Sequence, residues 1–97
     1  MDRNLEILQK QFSVDNIAHR YQQAVKYFVE GADKSEYKVF VEMTMKKDIS
    51  ALAHTLLQRV YSFEEYMERL HIIIGYDLMI QETIRKNNGK SDKQNQA

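Results

Sequence analysis

Apolar positions recur every three to four residues along most of this chain, and the phase of that recurrence defines its elements. Between 14 and 30, Val14, Ile17, Ala18, Tyr21, Ala24, Val25, Phe28 and Val29 share one face of a 3.6-residue period. The spacing predicts a helix, and both of its ends are marked. Ser13 is placed to cap it, Asp15 lies in its first turn, and Phe12 with Ile17 make a hydrophobic staple. Gly31 follows as a residue able to take positive φ and stop the helix. Upstream, Leu5, Leu8 and Phe12 suggest a short lead-in helix from about Asp2.

A second strong start lies at Ser62-Phe63-Glu64-Glu65, a capping box with Tyr61 and Tyr66 as its staple pair. From it, Phe63, Tyr66, Met67, Leu70, Ile73 and Ile74 form an apolar stripe. Met79, Ile80 and Ile84 continue it with some drift in phase. Gly75 and the β-branched run Ile72-Ile73-Ile74 weaken this helix by ~1 kcal/mol in summed propensity, mostly through the glycine.

The middle of the chain supports two readings. Ile49, Leu52, Ala53, Leu56, Leu57 and Val60 are helical in spacing. Across 37–45, however, Tyr37, Val39, Val41, Met43 and Met45 alternate with Lys38, Phe40, Glu42 and Thr44. That is a strand-like period of two, broken only by Phe40. The helical alternative sets Tyr37, Phe40, Val41 and Met45 on one side, behind an Asp33-x-x-Glu36 start. A lone strand needs a partner, so the helix is preferred. It gives one rod over 34–60, a loop near Gly31 and a tight corner at Tyr61-Ser62. The expected fold is an all-α, antiparallel three-helix bundle with a short N-terminal lead-in helix, prone to dimerise. An α+β fold with a strand at 37–45 is the alternative.

Composition narrows the function classes. The chain has 97 residues, 14 Lys+Arg, 14 Asp+Glu, no Pro and no Cys. One small domain is expected over 1–86, with a disordered polar and basic tail over 87–97. The missing cysteines remove thiolate chemistry and Cys-ligated zinc. Zero net charge disfavours nucleic acid as a partner. No apolar run approaches the roughly 20 residues of a membrane span, no leader peptide is visible, and a cytoplasmic location is expected.

Catalytic chemistry finds few candidates. His19, His54 and His71 share no metal-binding helical spacing. Glu68-x-x-His71 matches half of a di-iron carboxylate set, yet Glu68 falls off the apolar stripe. Asp77 falls among Leu78, Met79 and Ile80. Either the phase shifts at Gly75 and turns it outward, or Arg20, Arg59, His19 or a tyrosine hydroxyl pairs with it. There is no nucleophile–base pair and no phosphate-cradling glycine loop, so no enzyme, cofactor or metal is expected.

What remains is surface. The middle segment has apolar residues on more than one face, and a chain this short buries only about 60% of its unfolded surface. The expected function is therefore a helical protein–protein interaction module (an adaptor, inhibitor or regulatory subunit) whose partner is a protein or a second copy, most simply a homodimer. Tyr37, Phe40, Val41, Met43, Met45 and Met67 are its candidate contact residues. The competing strand reading, 37–46 followed by helices 48–60 and 63–74, resembles the ribbon-helix-helix DNA-binding proteins in element order. The resemblance implies a dimeric strand pair presenting Lys38, Phe40, Glu42, Thr44 and Lys46 to the major groove, with the Ser62 cap meeting the DNA backbone. Against it, residues 36–86 carry 7 Lys+Arg and 8 Asp+Glu.

Overall fold

A computed structural model describes the backbone of residues 3–96 and the side chains of residues 3–87. Helices α1 (Arg3–Gln11), α2 (Val14–Val29), α3 (Lys34–Phe40), α4 (Lys46–Leu57) and α5 (Phe63–Gln96) follow in order. A π-helical segment, Val41–Met45, joins α3 to α4, so the chain from 34 to 57 is one continuous rod. No strand occurs among the described residues.

The helix ends carry the expected chemistry. Ser13 accepts from the Asn16 N–H at 3.3 Å, while Phe12 and Ile17 are both fully buried behind that cap. At the start of α5 the capping box is reciprocal. The Glu65 N–H donates to Ser62 Oγ at 3.1 Å, and the Ser62 N–H donates to Glu65 Oε1 at 2.9 Å. That backbone hydrogen bond holds the Glu65 carboxyl below its ordinary range. Asp33 caps α3 by accepting from the Glu36 N–H at 3.0 Å. Gly31, at φ +120°, closes α2.

The strand alternative for 37–45 is overturned, and with it the strand pair that the DNA-binding resemblance requires. With Asp33 as the cap, the helical phase sends Val39 and Met43 outward, while Tyr37, Phe40, Val41 and Met45 pack inward. The period of two arose because both faces of the rod carry apolar side chains. In the π segment the Lys46 N–H bonds the Val41 carbonyl, five residues back. That turn holds one extra residue before α4 resumes.

The rod ends at Leu57, earlier than its apolar pattern predicts. The Val60 N–H reaches back to the Thr55 carbonyl at 2.9 Å and the Arg59 N–H to that of Leu56 at 3.1 Å. This Schellman pair puts Arg59 in the left-handed region at φ 58°, where glycine is the usual occupant. Because no glycine stands there, the stop is invisible in the sequence.

Topology is up–down–up. Arg69 Nε donates to the Phe12 carbonyl, Gln22 Nε2 to the Tyr76 hydroxyl, and Asn87 Nδ2 to the Phe28 carbonyl. These crossings advance together, so α2 and α5 run parallel with the rod antiparallel to both. Phe12, Ile17, Tyr21, Met45, Leu52, Tyr61 and Ile73 build the larger core cluster, and Phe28, Ile80 and Ile84 the smaller. Phe40 bridges the two, edge-on to Tyr21 and Phe28 with both centroid distances 5.9 Å. Helix α1 is tied down by the Tyr61 hydroxyl, which donates to the Gln9 carbonyl, while Arg69 stacks 3.9 Å from the Tyr61 ring centroid. The α5 backbone runs on through the segment expected as a tail, whose side chains beyond Asn87 lie outside the described residues.

Arg59→Gly is expected to stabilise the protein by up to ~1 kcal/mol in urea unfolding, because a left-handed residue with a Cβ gives way to one without. Ser62→Ala is expected to destabilise it by ~1 kcal/mol in the same measurement.

Candidate functional site

The most polar point of the interior is Asp48, a buried carboxylate on the inward side of α4. Its Oδ2 accepts from the Tyr21 hydroxyl at 2.7 Å and from Arg20 Nη1 at 2.9 Å. Both donors come from α2, so the group fastens the rod to α2 at one defined rotation. Arg20 is itself held between the Phe12 and Tyr21 rings, 5.7 and 5.8 Å from their centroids. Its Nε and Nη2 are buried and have no hydrogen-bond partner among the described residues. The aromatic faces screen that part of the charge. Asp48 sits one turn from Leu52 and two from Thr55, both fully buried, and this inward phase is the signal that could have revealed it.

A second carboxylate repeats the arrangement on α5. Asp77 is half-buried and paired, accepting from the Tyr37 hydroxyl at 2.6 Å and from Gln81 Nε2 at 2.7 Å. Of the two readings the sequence allowed, the tyrosine partner is the one realised, and the helix does not turn Asp77 away at Gly75. Each tyrosine therefore ties a different pair of elements: Tyr21 joins α2 to α4, and Tyr37 joins α3 to α5.

Between α2 and α3 lies a cleft of about 600 Å³. From α2 it is lined by Arg20, Gln23, Ala24, Tyr27 and Phe28, and from α3 by Ser35, Glu36, Val39 and Phe40. Its walls are mostly apolar. One end is closed by the Tyr27 hydroxyl donating to Glu36 Oε2 at 2.9 Å, the other by Arg20 on Asp48. Val39 stands 59% exposed on its rim, and Met43, one turn further along the rod, 60%.

The six expected contact residues divide sharply. Met45 is buried in the larger core cluster, and Phe40 and Val41 pack against that cluster from its edge. Tyr37 packs on the smaller cluster, edge-on to Phe28, and Met67 is half-buried on α5. Met43 alone of the six is exposed. Val39, Tyr27 and the α5 side chains Ile74, Leu78 and Met79 are exposed apolar residues that the sequence did not single out as contacts.

Glu68 and His71 are both exposed, as are His19 and His54. No group of three or more potential metal ligands meets among the described residues. None of their helices is long and apolar enough to cross a membrane. Together these features define a small all-α bundle held by two tyrosine–carboxylate ties, with an open cleft beside one of them. No family model, curated protein or solved structure matches the chain.

Asp48→Ala is expected to destabilise the fold by about 3 kcal/mol, since it leaves Arg20 and the Tyr21 hydroxyl without their acceptor in the interior. Tyr21→Phe, which removes only one donor, is expected to cost about 1–1.5 kcal/mol. The tyrosine ties also predict alkaline instability. Burial, and then the hydrogen bond to Asp77, push the Tyr37 hydroxyl up to about 12, and burial followed by the Asp48 contact raises that of Tyr21 further. A hydroxyl raised in the folded state contributes stability below its unfolded value near 10, and that contribution is lost as pH rises through the folded value. Urea midpoints should therefore fall between pH 10 and 12. Tyr37→Phe should flatten this fall, leaving the part due to Tyr21.

Proposed function

We propose that the protein is a non-catalytic helical interaction module that takes apolar side chains of a protein partner into the α2/α3 cleft. One observation carries the reading: an apolar-walled cleft of about 600 Å³ opens beside Val39 and Met43, which remain largely exposed on the same rod. Exposed apolar residues are ordinary one at a time. Val39 lines the concave apolar surface and Met43 follows one turn along the rod, a separation that matches the anchor spacing with which helices are recognised.

The dimensions favour one mode of binding. Along α2 the cleft runs from Arg20 to Tyr27, about 10 Å at 1.5 Å per residue. It has room for one or two anchor side chains of an amphipathic helix, while the rest of that helix lies along Val39 and Met43. The floor of Ala24, Phe28 and Phe40 is backed by the aromatic core, so the receptor surface is formed before the partner arrives. Methionine at position 43 suits such a surface, being unbranched and polarizable. The π turn that carries Met43 is a feature found frequently at functional sites. Adaptor, inhibitor and regulatory subunit all fit this mechanism, because each acts by occupying another chain.

A photo-crosslinking side chain at position 43 is expected to give a discrete protein adduct in cells. Val39→Glu introduced in the same chain should abolish that adduct while leaving helicity and unfolding midpoint unchanged. Adducts at position 43 that match those from Asp15, exposed on α2, or that survive Val39→Glu, would contradict the reading.

A further inference from the structure

Building on the α2/α3 cleft as a docking site, we infer that its partner is a basic amphipathic helix, whose lysine or arginine side chains meet carboxylates at the α2–α3 corner. Past the Tyr27–Glu36 hydrogen bond the cleft gives way to a second hollow of about 290 Å³. Its walls are Tyr27, Glu30, Gly31, Ala32 and Glu36. Tyr27 and Glu36 line both hollows, so the two adjoin.

They differ in polarity. The cleft is mostly apolar, whereas the walls of the second hollow are mostly polar and include Glu30 and Glu36. Both of these carboxylates are exposed, as is Asp33 between them in sequence. The hydrogen bond from the Glu36 N–H holds the Asp33 carboxyl below its ordinary range, so it is anionic at neutral pH. No ion pair among the described residues takes any of the three. The Tyr27 hydroxyl on Glu36 is a neutral donor and leaves that charge in place. The neighbouring cations lie elsewhere. Lys34 lines a separate hollow against α5 with Tyr37 and Gln81, and Lys26 borders neither the cleft nor its extension. Arg20 lines the opposite end of the cleft and is already held by Asp48.

An apolar groove with an acidic margin at one end complements a helix that is apolar and basic in matching places. Glu30 follows Tyr27 by three residues, about 4.5 Å along α2 at 1.5 Å per residue. A lysine or arginine one turn beyond the last apolar anchor, about 5.4 Å along the partner helix, therefore comes level with Glu30 and Glu36. Its apolar stem can lie on Tyr27, which is 55% exposed, while the charged head reaches the carboxylates. An acidic helix would set carboxylate against carboxylate at the same place. Charge thus distinguishes among partners that all supply apolar anchors.

The test uses the whole chain and two fluorescein-labelled synthetic peptides, each an alanine-rich helix of about 18 residues with two leucines four positions apart. One carries two lysines a turn beyond the leucines, the other two glutamates. The chain has zero net charge, which gives no general preference for either. In fluorescence anisotropy at about 50 mM salt the lysine peptide should bind at least ~10-fold tighter, and the gap should shrink at about 500 mM. Glu30→Gln with Glu36→Gln should remove most of the gap, and Glu30→Lys with Glu36→Lys should reverse it, with helicity unchanged in both. Val39→Gln, a neutral change in the cleft wall, should weaken both peptides alike. Equal binding of the two peptides, both still sensitive to Val39→Gln, would overturn the basic partner and leave the cleft standing. Binding indifferent to Val39→Gln would remove the cleft and the proposal with it. A lysine preference that survives the double glutamine variant, or a lysine peptide that fails to bind at about 1 mM, would also overturn the proposal.

Discussion

A single buried carboxylate decides how this bundle goes together. The aromatic and aliphatic contacts of the core are non-directional and would accept the rod at several rotations about its axis. Asp48 does not. It must meet the Tyr21 hydroxyl and the Arg20 guanidinium at hydrogen-bonding distance, or leave an unpaired charge inside at a cost of several kcal/mol. Fixing Asp48 inward fixes Leu52 and Thr55 with it. Through the extra residue of the π turn it also sets which side chains of the preceding segment face outward. The exposure of Val39 and Met43, and hence the open cleft, follows from where this clamp holds the rod.

Much of the fold was legible because its punctuation is chemical. The caps at Ser13 and Ser62, the staple at Phe12 and Ile17, the Asp33 start and the Gly31 stop appear where their residue types place them. The stop after α4 was not legible, because Arg59 takes a backbone conformation that its type does not announce. The π turn was hidden because the segment that holds it, with apolar residues on both faces, reads as alternation. The candidate contacts carry the same ambiguity. Tyr37, Phe40, Val41 and Met45 are apolar because they fill the core, and their spacing resembles that of a docking stripe. Asp48 is not singled out by residue type, although its position one turn before Leu52 marks it as interior.

What the bundle leaves uncovered is distributed with some order. Parallel α2 and α5 enclose the rod on two sides, so the outer surface of each is free. One side of α2 borders the cleft beside Val39, and the outer side of α5 carries Gly75 with its apolar neighbours. The two surfaces differ in kind. The cleft is concave, backed by aromatic rings and closed at both ends by hydrogen-bonded polar pairs. The α5 depression around Gly75 is shallow and bordered by the exposed side chains of Ile74, Leu78 and Met79.

A double-mutant cycle measures directly whether Asp48 and Tyr21 are coupled across the α2–α4 contact. Unfolding free energies of the native chain, Tyr21→Phe, Asp48→Asn and the double variant give the interaction energy of the pair. A coupling of about 1 kcal/mol or more is expected, since each partner alone leaves the other unsatisfied in the interior. Additive effects, with no coupling beyond error, would mean that the rod is oriented by something other than this carboxylate.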